Sequence, residues 1–249
     1  MDNLISKGKG RTIYTQGSSI VKVIDTNVAK ISALNEALNQ ARIEETGLSI
    51  PKILEVKKID EKWALVMEYI KGEKLEDLMK KNPSKIDEYI NLLVDLQLQV
   101  HSKRVPRLDS LRDKMHRKIS AAKEILDATL RYDLHERVDS APKHDKVCHG
   151  DFIPANIIIS QDGKPYIIGW SHVARGNGAA DAALTFLHFY ITEQDEIGDK
   201  YLKIYTEKSG TSKQYVQEWI PVVAAAKIMD YPEQTRELLM NFIDVVDSL

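Results

Sequence analysis

Residues 148–171, CHGDFIPANIIISQDGKPYIIGWS, place one short β segment inside a stretch that otherwise reads as helix from residue 84 to the end. "NIIIS" and "PYIIG" are β-rich runs, and Asp162-Gly163 in the "QDGK" between them suits a hairpin turn. The chain must therefore build a helical body around a single hairpin, with a polar loop leading into it.

The first 70 residues follow a different pattern. "RTIYT" and "SIVKVI" are strand-like and are separated by the turn signal "QGSS". A helix is expected next, with Val28, Ile31, Leu34, Leu38 and Ala41 at helical spacing. "KILEVKKI" and "KWALVMEYI" predict two more strands joined at Asp60-Glu61. The expected organisation is a small β-rich lobe over 1–70 and a helical lobe over 71–249, with a hinge near Met67 to Gly72. In the second lobe Ser84 and Asp87 match a capping box before "YINLLVDLQLQVH". "LDSLRDKMHRKISAAKEILDATL" reads as one long amphipathic helix, and three more are expected between Gly178 and Leu249, the last opening at Pro232.

Composition narrows the function classes. With 35 Lys+Arg against 37 Asp+Glu, the formal charge of -2 gives no overall basic field for nucleic acid. No apolar run reaches membrane-spanning length, and "MDNLISKGKG" lacks the apolar core of a signal peptide. The one cysteine cannot form an internal disulfide, which fits the cytoplasm. No protein partner is evident.

Five groups of residues bear on chemistry. Lys22, within the apolar strand "SIVKVI", needs a carboxylate or an anionic ligand if it faces inward, and Glu36 on the following helix can supply the carboxylate. The alternative has Lys22 on an outer strand face and Glu36 in solvent. Gly8 and Gly10 could let backbone N–H groups approach phosphate, though a full glycine-rich pattern is missing. In "HGDFIPAN", Asp151 can orient a substrate hydroxyl, Asn156 offers an amide oxygen suited to Mg²⁺, and His149 braces the loop. Cys148 reads as a small buried apolar residue, not as a thiol nucleophile paired with His149. The acidic stretch "TEQDEIGD", with Glu233, Glu237, Asp244 and Asp247, would suit a cationic acceptor, but a charged helix face is more often only solvated.

Taken together, "VKV" with Lys22, the helix residue Glu36, "GLSIPKIL", "LVMEYIKGEKLEDL", "HGDFIPANIII" and "GNGAADAALT" resemble the aminoglycoside phosphotransferase and choline kinase family, over nearly the whole chain. The resemblance implies an α+β, protein-kinase-like fold with a nucleotide-binding first lobe, and a catalytic loop and acceptor site in the second. It implies ATP or GTP with Mg²⁺ as cofactors, and a small-molecule hydroxyl as acceptor, aminoglycosides being the first class to try. By the same resemblance Asp151 and His149 are the catalytic-loop residues, and Asn156 is a metal ligand. Lys22 with Glu36 meets the phosphates, Glu68 and Ile70 meet the adenine through their backbone, and Asp181 braces the catalytic loop.

One position departs from the family. Its strand ends Ile-Asp-Trp, and that aspartate holds metal; here the residues are Ile168-Gly169-Trp170. Losing one such ligand is expected to raise the barrier by roughly 3–5 kcal/mol, on the order of 100- to 5,000-fold in rate. Two readings follow: a phosphotransferase weakened at Gly169, or a nucleotide-binding pseudokinase or sensing module without turnover.

Overall fold

The computed structural model describes residues 3–8, 10–25 and 30–243; Val28, Asp244 and Asp247 lie outside them. In chain order the elements are β1 (Leu4–Gly8), β2 (Arg11–Gln16), β3 (Ser19–Ile24), α1 (Lys30–Glu44), β4 (Ile53–Ile59), β5 (Lys62–Glu68), β6 (Gly72–Lys74) and α2 (Leu75–Lys81). Then come α3 (Ile86–His101), α4 (Leu111–Ala121), α5 (Ala128–Ser140), β7 (Lys146–Cys148), β8 (Ile157–Ser160), β9 (Pro165–Ile167) and β10 (Ala174–Gly176). The chain closes with α6 (Gly178–Ile191), α7 (Asp195–Ser209), α8 (Lys213–Gln217), α9 (Ile220–Lys227) and α10 (Glu233–Ile243). The fold is α+β and divides into two compact units, one of Met1–Lys81 with Pro154–His172 and one of Asn82–Ile153 with Val173–Leu249.

The first unit is built on a five-stranded antiparallel sheet in the order β1-β2-β3-β5-β4. β1 is a strand that the sequence pattern does not announce, because all five of its residues are exposed. Side chains alternate across β3. Val21 and Val23 pack with Ala64 and Val66 on one face, and Ile24 packs with Leu65 and α1 on the other. The face of α1 that meets the sheet carries Ala33 and Ala37. The expected apolar stripe of Ile31, Leu34 and Leu38 points outward instead, at 65%, 38% and 48% exposed, and Ala41 is exposed too. Small residues let the helix axis approach the sheet, so alanines rather than the larger side chains face inward. The β8–β9 hairpin forms as expected, with the turn at Asp162-Gly163, and pairs through β8 with β6 of the same unit.

The second unit is helical around α6, whose residues from Gly178 to Leu187 are all buried. α9, sequence IPVVAAAK, is likewise apolar on every side and buried from Ile220 to Ala226. Three expectations are corrected here. Ser84 and Asp87 form no capping box: Pro83–Lys85 is a 3₁₀ turn that runs into α3, so Ser84 is already inside a helical turn, and Asp87 pairs with Lys200. The long amphipathic stretch breaks into α4 and α5 because Ser110 and Asp127 each cap a helix, accepting the N–H of Asp113 at 3.2 Å and of Leu130 at 2.9 Å. Five helices, not three, follow Gly178 among the described residues, with Pro232 just ahead of α10. No helix among the described residues is long and apolar enough to cross a membrane.

Candidate active site

Lys22 lies on the same face of β3 as Ile24, toward α1, and is 6% exposed. Ala33 and Ala37 bring α1 close, and Glu36 between them forms an ion pair with the Lys22 ammonium. The outer-face alternative is thereby excluded. Burial pushes the lysine's pKa down; the charge and hydrogen bond of Glu36 push it up, Arg11 adds to the lowering, and the net direction is down. The result is a buried ammonium held in one place by a single carboxylate. Glu68 ends β5, where its N–H donates to the carbonyl of Lys52 at 2.9 Å; Tyr69 N–H donates to Ser18 at 3.1 Å, and Ile70 is buried. These bonds fix the backbone of the segment assigned by resemblance to the adenine. Gly8 ends β1 and Gly10 directly precedes β2.

Asn156 and Gly169 meet in the first unit. Asn156 closes a 3₁₀ turn ahead of β8, and its carbonyl accepts the Ile168 N–H at 2.9 Å. Gly169 has φ +86°, in the left-handed region that side chains disfavour. A Cβ there would stand 2.9 Å from Asn156 Oδ1 and 3.0 Å from its Cγ. The next residue, Trp170, is fully buried and donates its indole N–H to Ile167 at 3.0 Å. Backbone conformation and the approach of Asn156 therefore both suit glycine at 169.

His149, Asp151 and Asp181 belong to the second unit, and Asp181 organises them. Its Oδ1 accepts the Gly150 N–H at 2.7 Å; its Oδ2 accepts the His149 N–H at 3.2 Å and pairs with His101 Nε2 at 2.9 Å. Gly150 has φ +78°, so the loop turns sharply where the carboxylate receives it. His149 is fully buried, and its Nδ1 accepts the Asp151 N–H at 3.3 Å, which leaves the ring proton on Nε2. Thr185, one turn after Asp181, donates to the carbonyl of Phe152 at 2.8 Å, and Gln97 donates to Thr185 at 3.1 Å. Burial pushes the Asp181 carboxyl up, but the hydrogen bond and charge of His101 and the Gly150 N–H outweigh it, and the net direction is down. Cys148 is fully buried, and its thiol is pushed well up by burial. It is not a nucleophile.

Sequence reasoning missed Gln97, His101 and Thr185. A signal was present: Gln97 and His101 are four residues apart at the end of an apolar helix, and Thr185 is four after Asp181, so each pair shares a helix face.

The phosphotransferase enzyme family model matches residues 10–219 of this 249-residue chain. The chain belongs to this family. Its fold is that of solved aminoglycoside phosphotransferases and a choline kinase. A thermostable mutant of aminoglycoside phosphotransferase APH(4)-Ia, solved as a ternary complex with ADP and hygromycin B, superposes with a TM-score of 0.75 at 11% identity, covering 98% of this chain and 92% of that one. Aminoglycoside-3'-phosphotransferase of type VIII gives 0.68 at 18% identity, covering 91% and 93%. Choline kinase LicA from Streptococcus pneumoniae gives 0.67 at 17% identity, covering 97% and 94%. No curated protein matches the sequence significantly.

In this phosphotransferase-family chain the residues do not fit a protein-held Mg²⁺. That ion takes oxygen ligands, usually one or two carboxylates besides the phosphates of a substrate. Asn156 offers one neutral amide oxygen, Gly169 has no side chain, and no group of three or more His, Cys, Asp or Glu among the described residues could hold a metal.

Proposed function

We propose that this chain binds a purine nucleoside triphosphate, ATP or GTP, and transfers its terminal phosphate slowly to the hydroxyl of a small molecule. The observation that carries the reading is the meeting of Gly169 with Asn156 in a chain that keeps the buried Lys22–Glu36 pair and the Asp181-held loop. Lys22 meets the phosphates as a fixed positive charge. Asp151 accepts a hydrogen bond from the acceptor hydroxyl and orients it, and His149 and Asp181 hold the backbone that presents Asp151. Glu68 and Ile70 offer backbone groups to the purine. Mg²⁺ accompanies the nucleotide on its own phosphates. Without a carboxylate at 169, stabilisation of charge in the transition state falls short by roughly 3–5 kcal/mol. Nucleotide affinity, which depends on Lys22 and the backbone near Ile70, is less affected.

Two assays test this together. Nucleotide binding is measured by calorimetry with ATP, GTP and ADP, and phosphate transfer is measured against aminoglycosides and simple alcohols. The expected result is binding with slow transfer. Binding with no transfer to any acceptor favours the sensing-module reading, which the glycine at 169 also supports. No binding to any nucleotide contradicts both.

A further inference from the structure

A cavity of about 340 Å³ lies within the second unit, and none of the residues 149–156 of the catalytic loop lines it. That volume is in the range of small-molecule sites. Its wall comes from the start of α4, the end of α5 and the residues after it, β10, and Trp219 ahead of α9. Leu111, Met115 and Val138 give it buried apolar surface.

Two donors in this wall lack a protein acceptor. Arg175 is half-buried; its Nε donates to the carbonyl of Leu108 at 3.1 Å, and its backbone N–H donates to Asp109 at 2.8 Å. Its two terminal nitrogens have no hydrogen bond or ion pair with any described residue. They form an end-on fork of the kind that receives a carboxylate through two parallel bonds. Trp219 is only 7% exposed, and its indole N–H has no acceptor among the described residues. No fully enclosed side-chain nitrogen or oxygen among them is left unpaired, so this N–H keeps contact with solvent, which Trp219 meets where it lines the cavity. A nearly buried indole ordinarily finds an acceptor.

The charges of the wall agree with the donors. Arg112 is already engaged: it pairs with Asp139 at 3.2 Å and donates to the carbonyls of Asp139 at 3.1 Å and Ala141 at 2.8 Å. Setting that neutralised pair aside leaves Arg175 and Lys143 against one carboxylate, the exposed Asp113. His144, exposed beside Lys143, adds no negative charge. The wall also touches the catalytic machinery from behind. Arg175 pairs with Val147 across β10 and β7, and β7 ends at Cys148, next to His149. Asn177, another wall residue, caps α6, whose first turn carries Asp181.

We infer that this cavity is a second ligand site, that it takes a small organic acid with a carboxylate on a flat apolar body, and that Arg175 and Trp219 hold the carboxylate. An acid bound there steadies β10 and, through it, the strand leading into the catalytic loop. The binding claim is independent of phosphate transfer.

The test uses naphthoate, naphthylmethanol and naphthylmethylamine, which share a flat body and differ in charge. Binding to the full chain is followed by ligand-observed NMR titration, and amide hydrogen exchange of β7 is measured with and without naphthoate. The expected order is acid over alcohol over amine, with about a tenfold preference for the acid over the alcohol. Excess ATP should not displace naphthoate. Arg175→Gln should bring naphthoate to the level of the alcohol. Trp219→Phe keeps a ring and removes the N–H, and should weaken naphthoate several-fold. Lys143→Gln, at an exposed position, should reduce the preference for the acid, which keeps the test decisive if the other variants do not fold. Exchange in β7 should slow when naphthoate is bound. No binding, equal binding of the probes, a preference that no variant moves, or displacement by ATP overturns the site. Unchanged exchange in the naphthoate-loaded protein overturns the effect on the loop.

Discussion

Asp181 Oδ1 accepts the Gly150 N–H at 2.7 Å while its Oδ2 pairs with His101 at 2.9 Å, so one buried carboxylate ties the loop before Asp151 to α6 and α3. Replacing it by Asn leaves an amide N–H₂ facing either the Gly150 N–H or His101. Hydrogen bonds to a buried charged group are each worth about 1.5–3 kcal/mol. Asp181→Asn should therefore lower unfolding free energy by about 3 kcal/mol in urea titrations, and Asp181→Glu should not restore it, since the longer side chain does not fit a fully buried site.

The same carboxylate makes stability depend on pH. Its pKa is lowered on folding, so the unfolded chain binds the proton more readily. The stabilisation is complete above the unfolded value of about 3.9 and is lost as pH falls through the lower folded value. Unfolding free energy of the natural chain should fall in that acid window, and the fall should be shallower in Asp181→Asn. Equal slopes for the two proteins would contradict this account.

Lys22 and Glu36 form a pair with both side chains nearly out of solvent. Either Lys22→Met or Glu36→Leu leaves the other charge buried and unpaired, whereas the double variant leaves none. The double variant should be more stable than the sum of the single losses by about 1–3 kcal/mol in a double-mutant cycle. Calorimetry should show that Lys22→Met also weakens nucleotide binding, and the double variant should not recover it.

Gly169 tests backbone and side chain separately. A side chain there has to adopt φ +86° and displace the Asn156 amide. Gly169→Ala should cost about 1–2 kcal/mol from the left-handed backbone, plus the shift of Asn156. Gly169→Asp should cost less, because aspartate tolerates that region better than alanine. Thermal unfolding of the two variants checks the order.

Much of this was legible in the sequence because it depends on local chemistry. The hairpin at Asp162-Gly163 and the strands around Lys22 follow from turn preference and alternation, whereas the residues alone leave the Lys22–Glu36 pairing as one of two alternatives, and the family resemblance selects it. The buried face of α1 did not follow, since Ala33 and Ala37 are weak markers beside Ile31 and Leu38, and only close approach to the sheet selects them. Ser84 looked like a cap until Pro83 began a turn ahead of it. Asp181 was placed by resemblance, but its partners Gln97 and His101 lie more than 75 residues away in sequence, and no local pattern joins them to it.

The measurement that bears most directly on the central claim is phosphate transfer by the natural chain and by Gly169→Asp, side by side, with ATP, GTP and magnesium against one acceptor panel. The account predicts nucleotide affinities within a few-fold of each other and a rate that rises on the order of 100-fold or more in the aspartate variant. Equal rates, with both proteins folded and nucleotide-bound, would contradict it and show that position 169 does not limit transfer.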